Sequence, residues 1–304
     1  MRDIRENIRA YLELCKPKIS LFAVLSSVSG FFAASAEFKT EVLCLIPGVF
    51  ILACGSSALN QYQERHIDAL MERTRDRPVP SKKIRPLHAL FFSMVLISSG
   101  LFVLSITGSL SALLLGLLAT LWYNGFYTYL KRKTAFAVVP GALVGAIPPA
   151  IGWVLGGGGL KDPRLLALCF FFFMWQVPHF WILLLNYGKE YEKAGLPSLS
   201  GIFSRTQLLR IITQWVFATI VSCLFISLYG LVRSSLMTFF LFAASLWFFW
   251  QAIKLMGMNE VGERAGSALF RRINYYMLSI IVLASFDHMT YVWTEYGLNA
   301  FIIK

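Results

Sequence analysis

Long apolar runs alternate with short polar gaps along the whole chain. Taking runs of about 18 or more residues as membrane candidates, nine segments emerge at roughly 19–36, 42–62, 87–106, 110–129, 135–155, 165–186, 208–229, 235–254 and 273–295. Each has the length an α-helix needs to cross a hydrocarbon core of about 30 Å with some tilt. The pattern therefore predicts an all-α, polytopic membrane protein with nine transmembrane helices. Residues 1–18, MRDIRENIRAYLELCKPK, mix charged and apolar positions and contain no small-residue cleavage site. They read as a cytoplasmic N-terminal segment with the character of an interfacial helix, ahead of a single transmembrane domain at 19–304. Asp3, Glu6 and Glu13 argue against a mitochondrial transit peptide, which is poor in acids.

Composition sharpens this picture. With 57% hydrophobic and only 14% charged residues, and a mean hydropathy of +0.63, the chain is not an ordinary soluble protein. A net charge of +12 would suit a nucleic-acid partner if it were gathered on one domain, but the basic residues sit in the gaps between apolar runs. No nucleic-acid partner is expected. Placing the N-terminus in the cytoplasm puts 23 of the 28 Lys and Arg residues on the inside and five outside. That is the positive-inside bias, and one missed span would scramble it. The outside gaps are short. Gly156 to Gly159 lack the strand–helix context and the Lys-Ser/Thr of a phosphate loop, and read as a flexible turn. Five cysteines are scattered with no metal or disulfide spacing.

The chemistry lies in two inside gaps, 63–87 and 187–207, so a site would open on the cytoplasmic face of a cytoplasmic (inner) membrane. The stretch NQYQERHIDALMERTRDRPVP carries Asn60, Glu64 and Asp68 at four-residue spacing, which places them on one helical face. Arg73, Arg75 and Arg77 follow, with Arg73 and Arg77 four apart on a helix that continues to Pro78. A row of oxygen acceptors beside a basic cluster can hold a divalent cation and a polyanion side by side. A solvated helix end with i,i+4 pairs is the plain alternative. The sixth run repeats part of the pattern, since Asn186 and Glu190 echo Asn60 and Glu64, with Lys189 between them. Two such pairs facing each other could each bind a cation, with one diphosphate bridging them. His179 lies two turns before Asn186, at membrane depth, where an ionisable group is functional by default. Pro178 is expected to kink that helix. Lys131 and Arg132 serve equally as topology signals or diphosphate contacts. The aromatic stretches 123–129 and 170–175 could line an apolar pocket, and Asp287 and His288 are expected to pair with other helices.

Together these residues resemble the UbiA superfamily of intramembrane prenyltransferases, and in it the haem-farnesylating branch. The superfamily's first motif reads here as Asn60, Gln61, Glu64 and Asp68, with Gln61 departing from an Asp. The branch resemblance continues in Met71, Arg73, Thr74, Arg77 and Pro78, in Tyr127-Thr128 with Lys131, Arg132 and Thr134, and in Gly145-Ala146 with Pro148-Pro149 and Gly152-Trp153. It runs on through Trp175-Gln176, Pro178-His179-Phe180, Tyr191, Ala194-Gly195 and Pro197. Asn186 and Glu190 stand where the second motif normally has Asp. The resemblance implies two helical layers around a central, lipid-open cavity, with farnesyl diphosphate and haem b as substrates. It also implies Mg²⁺ held by Asn60, Glu64, Asp68, Asn186 and Glu190, and diphosphate held by Arg73, Arg77, Lys131, Arg132 and Lys189. Asp68, Arg73 and Arg77 would be catalytic, and His179 would contact haem through iron or a propionate. Implied partners are membrane lipid and terminal-oxidase assembly factors, haem A synthase among them. A quinone-precursor prenyltransferase of the same superfamily is the rival enzyme. A transporter is the rival of another class, disfavoured because the polar residues gather at one face.

Overall fold

The computed structural model describes residues 4–35, 37–256 and 263–302, and their regular structure is helical throughout. Nine of the described helices are long and apolar enough to cross a membrane. After a short α1 (Ile4–Cys15), the first three spans are α2 (Pro17–Ala34), α3 (Val42–Gln63, continued by the single turn α4, Arg65–Asp68) and α5 (Pro86–Ser105). The fourth, Leu110–Leu130, joins α6 (Leu110–Thr120), a π-helical stretch at Leu121–Tyr127 and α7 (Thr128–Leu130). The fifth, Ala135–Leu155, is built from α8 (Val138–Gly141) and α9 (Leu143–Leu155). Then come α10 (Pro163–Lys193), the turn α11 (Leu199–Ile202), α12 (Arg205–Leu228), α13 (Ser235–Met256) and α14 (Glu263–Ile302). Most boundaries fall within a few residues of the hydropathy expectation. Two differ. α10 runs unbroken through Pro178 to Lys193, carrying its polar end beyond the apolar run, and the last span begins at Gly266, with Arg271 and Arg272 inside it.

The helices pack α2 on α3 and α9, α3 on α5, α5 on α6, α6 on α9 and α9 on α10. α10 meets α12 and α14, α13 lies between α12 and α14, and α14 returns to α2, so the last span closes against the first. In lipid the helices gain little from hydrophobic association, and close backbone approach through small residues does much of the work. α2 and α9 show this. A Cβ at Gly152 would strike the carbonyl of Ser27, and one at Gly30 that of Pro149. Large apolar side chains left exposed on the spans, such as Phe91, Phe102, Leu228, Phe239 and Trp250, are what a lipid-facing rim requires.

α1 is amphipathic. Its Ala10 and Leu14 join a small core with Ala58, Val79, Ile84 and Ala89, while Ile4, Ile8 and Leu12 stay exposed at four-residue spacing. Asp287 also has a structural partner. Its carboxylate accepts from the backbone N–H of Arg233 at 2.7 Å and of Ser234 at 3.0 Å, satisfying donors at the turn into α13. The side chain of His288 lies outside the described part of the chain.

Candidate active site

α3 ends in a row of buried acceptors. Asn60, Glu64 and Asp68 are 3%, 4% and 1% exposed. The helix loosens at Glu64, yet Glu64 N–H donates to Asn60 O at 2.9 Å and Asp68 N–H to Glu64 O at 2.8 Å. Four-residue spacing is therefore kept through the break, and the three side chains share one face as the spacing predicts.

The helix then stops earlier than expected. Thr74 Oγ1 donates to Asp68 O at 2.8 Å, and successive turns carry the chain from Ala69 to Ser81. Arg73 and Arg77 are thus on a folded loop and not on a continuing helix. A threonine hydroxyl competing for a helix-end carbonyl is the local cause. This fold-back brings Arg77 onto Asp68, whose two carboxylate oxygens both accept from Nη1 at 2.8 Å. Lys131 Nζ makes an ion pair with Glu64.

The same loop reaches the sixth span. Arg73 N–H donates to Glu190 Oε2 at 3.1 Å, its Nη2 reaches Tyr191 OH at 3.5 Å, and its guanidinium lies 5.0 Å over the Tyr187 ring. The ends of the second and sixth spans therefore meet at one end of the bundle, although 117 residues separate Arg73 from Glu190. Asn186 does not point to this meeting. Its Nδ2 donates to Ser267 Oγ on α14 at 3.0 Å, while Oδ1 is buried without a partner. Lys189 and Arg75 are exposed.

The fourth span supplies a third wall. Widening into a π-helix over Leu121–Tyr127 re-aims side chains that an α-helix would distribute otherwise. Asn124 Nδ2 donates to Ser56 O at 3.0 Å and to Gln63 Oε1 at 3.2 Å, and Gln63 Nε2 donates back to Asn124 O at 3.0 Å. Asn60 Nδ2 donates to Thr128 Oγ1 at 3.2 Å, and Arg132 Nη2 to Gln63 O at 2.8 Å. Tyr127 stacks on Tyr123 with centroids 6.0 Å apart, faces Phe180 at 6.3 Å and lies 5.9 Å below Lys131 Nζ. The expected aromatic lining is thus split. Tyr123 and Tyr127 flank the charged row, whereas Phe171, Phe172 and Trp175 are buried in the core, with Trp175 Nε1 bonded to Ile273 O at 3.0 Å. His179 sits between Trp175 at 4.6 Å and Phe270 at 4.7 Å, with Nδ1 buried and unpartnered.

Two residues here escape the motif reading. Asn124 carries a signal only in hindsight, as a polar residue inside the aromatic run WYNGFYTYL, whereas Thr128 belongs to the motif. Lys16 looks like one more topology lysine before Pro17. In the structure burial pushes its ammonium down to about 7, the Arg77 guanidinium adds to this, and Glu64 and Asp68 oppose it. Lys16 therefore belongs to the same electrostatic cluster.

Among the described residues no three of His, Cys, Asp and Glu converge into a closed metal centre. What is present is a sparse set of hard oxygen donors on separate elements, with Asn186 Oδ1 and Asn124 Oδ1 buried and unpartnered. That donor chemistry fits Mg²⁺, which binds through a few protein oxygens and keeps waters and phosphate oxygens for the rest. Buried ion pairs are held in balance, since removing either partner strands a charge. A magnesium diphosphate brings both signs at once, and can take over the partners of Asp68, Glu64, Arg77 and Lys131 together.

Residues 20–287 match the model of the UbiA prenyltransferase family. A protoheme IX farnesyltransferase of Geobacter sulfurreducens is 38% identical over 224 residues, covering 74% of this chain and 83% of that protein. One of Opitutus terrae is 34% identical over 269 residues, covering 87% and 90%. Among solved structures, a digeranylgeranylglyceryl phosphate synthase superposes with a TM-score of 0.72 at 19% identity, over 94% of this chain and 99% of that one. A UbiA homolog from Archaeoglobus fulgidus bound to GPP and Mg²⁺ gives 0.68 at 15% identity, over 91% and 99%.

Proposed function

The chain belongs to the UbiA prenyltransferase family, and from that premise we propose that it transfers a farnesyl group from farnesyl diphosphate to a vinyl group of haem b, with addition of water, giving haem O. The protein is an integral membrane prenyltransferase. The observation that carries the reaction is the meeting of a buried acceptor row with cations from two separate elements, Arg77 on Asp68 and Lys131 on Glu64, while the Arg77 loop also reaches Glu190 through the backbone N–H of Arg73.

Asn60, Glu64 and Asp68 would supply the first set of oxygens for Mg²⁺ and Glu190 the second, while Asn186, expected beside Glu190, is turned to Ser267 on α14. When bound, the metal supplies positive charge to the departing diphosphate. Arg73, Arg77, Lys131, Arg132 and Lys189 hold the phosphate oxygens, with Arg forks suited to paired oxygens. Their preorganised charge is worth most as the allylic C–O bond breaks and negative charge grows on the leaving group. The haem vinyl carbon attacks the allylic cation, and water quenches the new cation beside the porphyrin. The apolar helices and the Tyr123–Tyr127–Phe180 wall exclude other water from the first cation. His179 contacts haem. The excess of Lys and Arg at this end of the bundle orients the site to the cytoplasm in a bacterial inner membrane.

Curated relatives named for haem farnesylation favour this reading over a quinone-precursor prenyltransferase or a transporter. The purified protein, given haem b, farnesyl diphosphate and Mg²⁺, is expected to yield the hydroxyethylfarnesyl product by mass. Transfer to 4-hydroxybenzoate and not to haem b would overturn the assignment.

A further inference from the structure

Gln61 stands in the acceptor motif but does not use its side chain as the neighbouring acceptors do. It is 1% exposed, and its Nε2 donates to Glu13 O at 3.2 Å and Leu14 O at 3.0 Å. These carbonyls lie at the C-terminal end of α1, where a helix leaves its acceptors without partners. Ser20 Oγ takes the next one, Cys15 O, at 3.0 Å. The end of α1 is thereby tied to α3 by Gln61 and to α2 by Ser20.

Between them the chain turns through Lys16, at φ 44° and ψ 59°. The left-handed region is unfavourable for a residue with a Cβ, and Pro17 restricts its predecessor further. Such a conformation persists only where the surroundings over-determine it, and it concentrates at functional sites. The turn lies beside Gln61 at the end of α3, and Glu64, Asp68, Arg77 and Lys131 all act on the ammonium it carries. An Asp or Glu at position 61 would offer acceptors to carbonyls that need a donor. The chemistry of the α1 end thus accounts for the amide in this place.

We propose that Gln61 is a positioning residue of the diphosphate site: by clamping the end of α1 it holds the Lys16 turn, and Lys16 is a further cation contact for the diphosphate. The ligand class rests on the prenyl-transfer reading above; the clamp itself rests on the hydrogen bonds and the backbone.

The test is a double-mutant cycle on the full-length protein in detergent, read by calorimetric binding of inorganic pyrophosphate with Mg²⁺. Lys16→Gly removes the cation while allowing the left-handed turn without strain, and is expected to weaken binding about tenfold or more. Gln61→Leu is expected to weaken it comparably in the wild-type background and to have no further effect in Lys16→Gly, because the two residues act as one unit. If Gln61→Leu does not fold, Ser20→Ala loosens the same joint more mildly. Its smaller loss should likewise vanish in Lys16→Gly, and Lys16→Arg should retain most of the affinity. Effects that multiply in the double variant, an unchanged affinity in Lys16→Gly, or no pyrophosphate binding by the wild type would each overturn the proposal. A cycle that behaves as expected in a protein that does not farnesylate haem b leaves the clamp intact and removes the haem reading. Haem farnesylation with an additive cycle does the reverse.

Discussion

The two ends of the helical bundle use charge in opposite ways. At the end where α3 and α10 finish, buried carboxylates are paired across elements, Asp68 with Arg77 and Glu64 with Lys131, and the more open Glu190 takes the backbone N–H of Arg73. At the other end the ion pair is local. Asp162 accepts from the backbone N–H of Arg164 two residues on at 2.9 Å and from its Nη2 at 2.6 Å, with side chains 18% and 40% exposed. Lys39 there donates to Gly156 O at 2.9 Å, and Arg164 lies over Trp153. A local, solvent-screened pair caps a helix and costs little. A buried pair assembled from distant segments carries a desolvation penalty that packing with apolar residues would avoid. Charge kept at that penalty marks the end where a charged ligand takes part in the balance.

The largest effect should come from breaking the buried pair itself. Asp68→Ala and Arg77→Ala are each expected to cut haem farnesylation by about 100-fold or more, the scale on which removal of a single transition-state charge contact acts. Circular dichroism and gel filtration should show a helical, monodisperse protein, which separates loss of chemistry from loss of fold. Near wild-type product from either variant would empty the charged end of its assigned role.

Lys131→Met should be milder. It strips Glu64 of its partner and the diphosphate of one contact, but leaves Arg77 and Arg73 in place. A rise of about tenfold in KM for farnesyl diphosphate is expected, equivalent to about 1.4 kcal/mol, with a smaller change in kcat. Equal falls in kcat and kcat/KM would instead mean that the ammonium acts only in the transition state.

Asn124→Leu addresses the third wall. It removes donors to Ser56 O and Gln63 Oε1 and leaves buried acceptors unpaired, at a cost of about 1–3 kcal/mol. Thermal unfolding in detergent should fall accordingly. Turnover should drop only a few-fold, because Asn60 keeps its bond to Thr128.

How much of this was legible in the chain follows from the range of the forces involved. Hydropathy is a sum over consecutive residues, so the nine spans could be read directly; only the charged extension of α10 and the early start of the last span escaped it. Asn60, Glu64 and Asp68 lie within one helical segment, so their common face followed from spacing. The end of that helix at Asp68 did not, because it depends on Thr74 folding back. Asn186 illustrates the same limit, since what decides its partner is Ser267, 81 residues away. Lys16 is harder still. A lysine before the first span has a sufficient explanation in topology, and only the left-handed turn and the amide of Gln61 show that its backbone is held beside the acceptor row.

The contrast between the ends is sharpened most by a variant that should do almost nothing to catalysis. Asp162 caps α10, so Asp162→Ala is expected to lower stability by about 1 kcal/mol and leave farnesylation unchanged. Its carboxyl is held below the usual carboxylate range by Arg164, whose side chain and backbone N–H both bond to it. A group depressed in this way contributes stability above its unfolded value of about 4, and loses that contribution as pH falls through its folded value. The stability gap between wild type and Asp162→Asn, which keeps a neutral acceptor, should therefore be open at pH 7 and close below about pH 4. Should Asp162→Ala instead depress turnover as deeply as Lys131→Met, charge at the two ends would not be divided between capping and chemistry, and the asymmetry would lose its functional meaning.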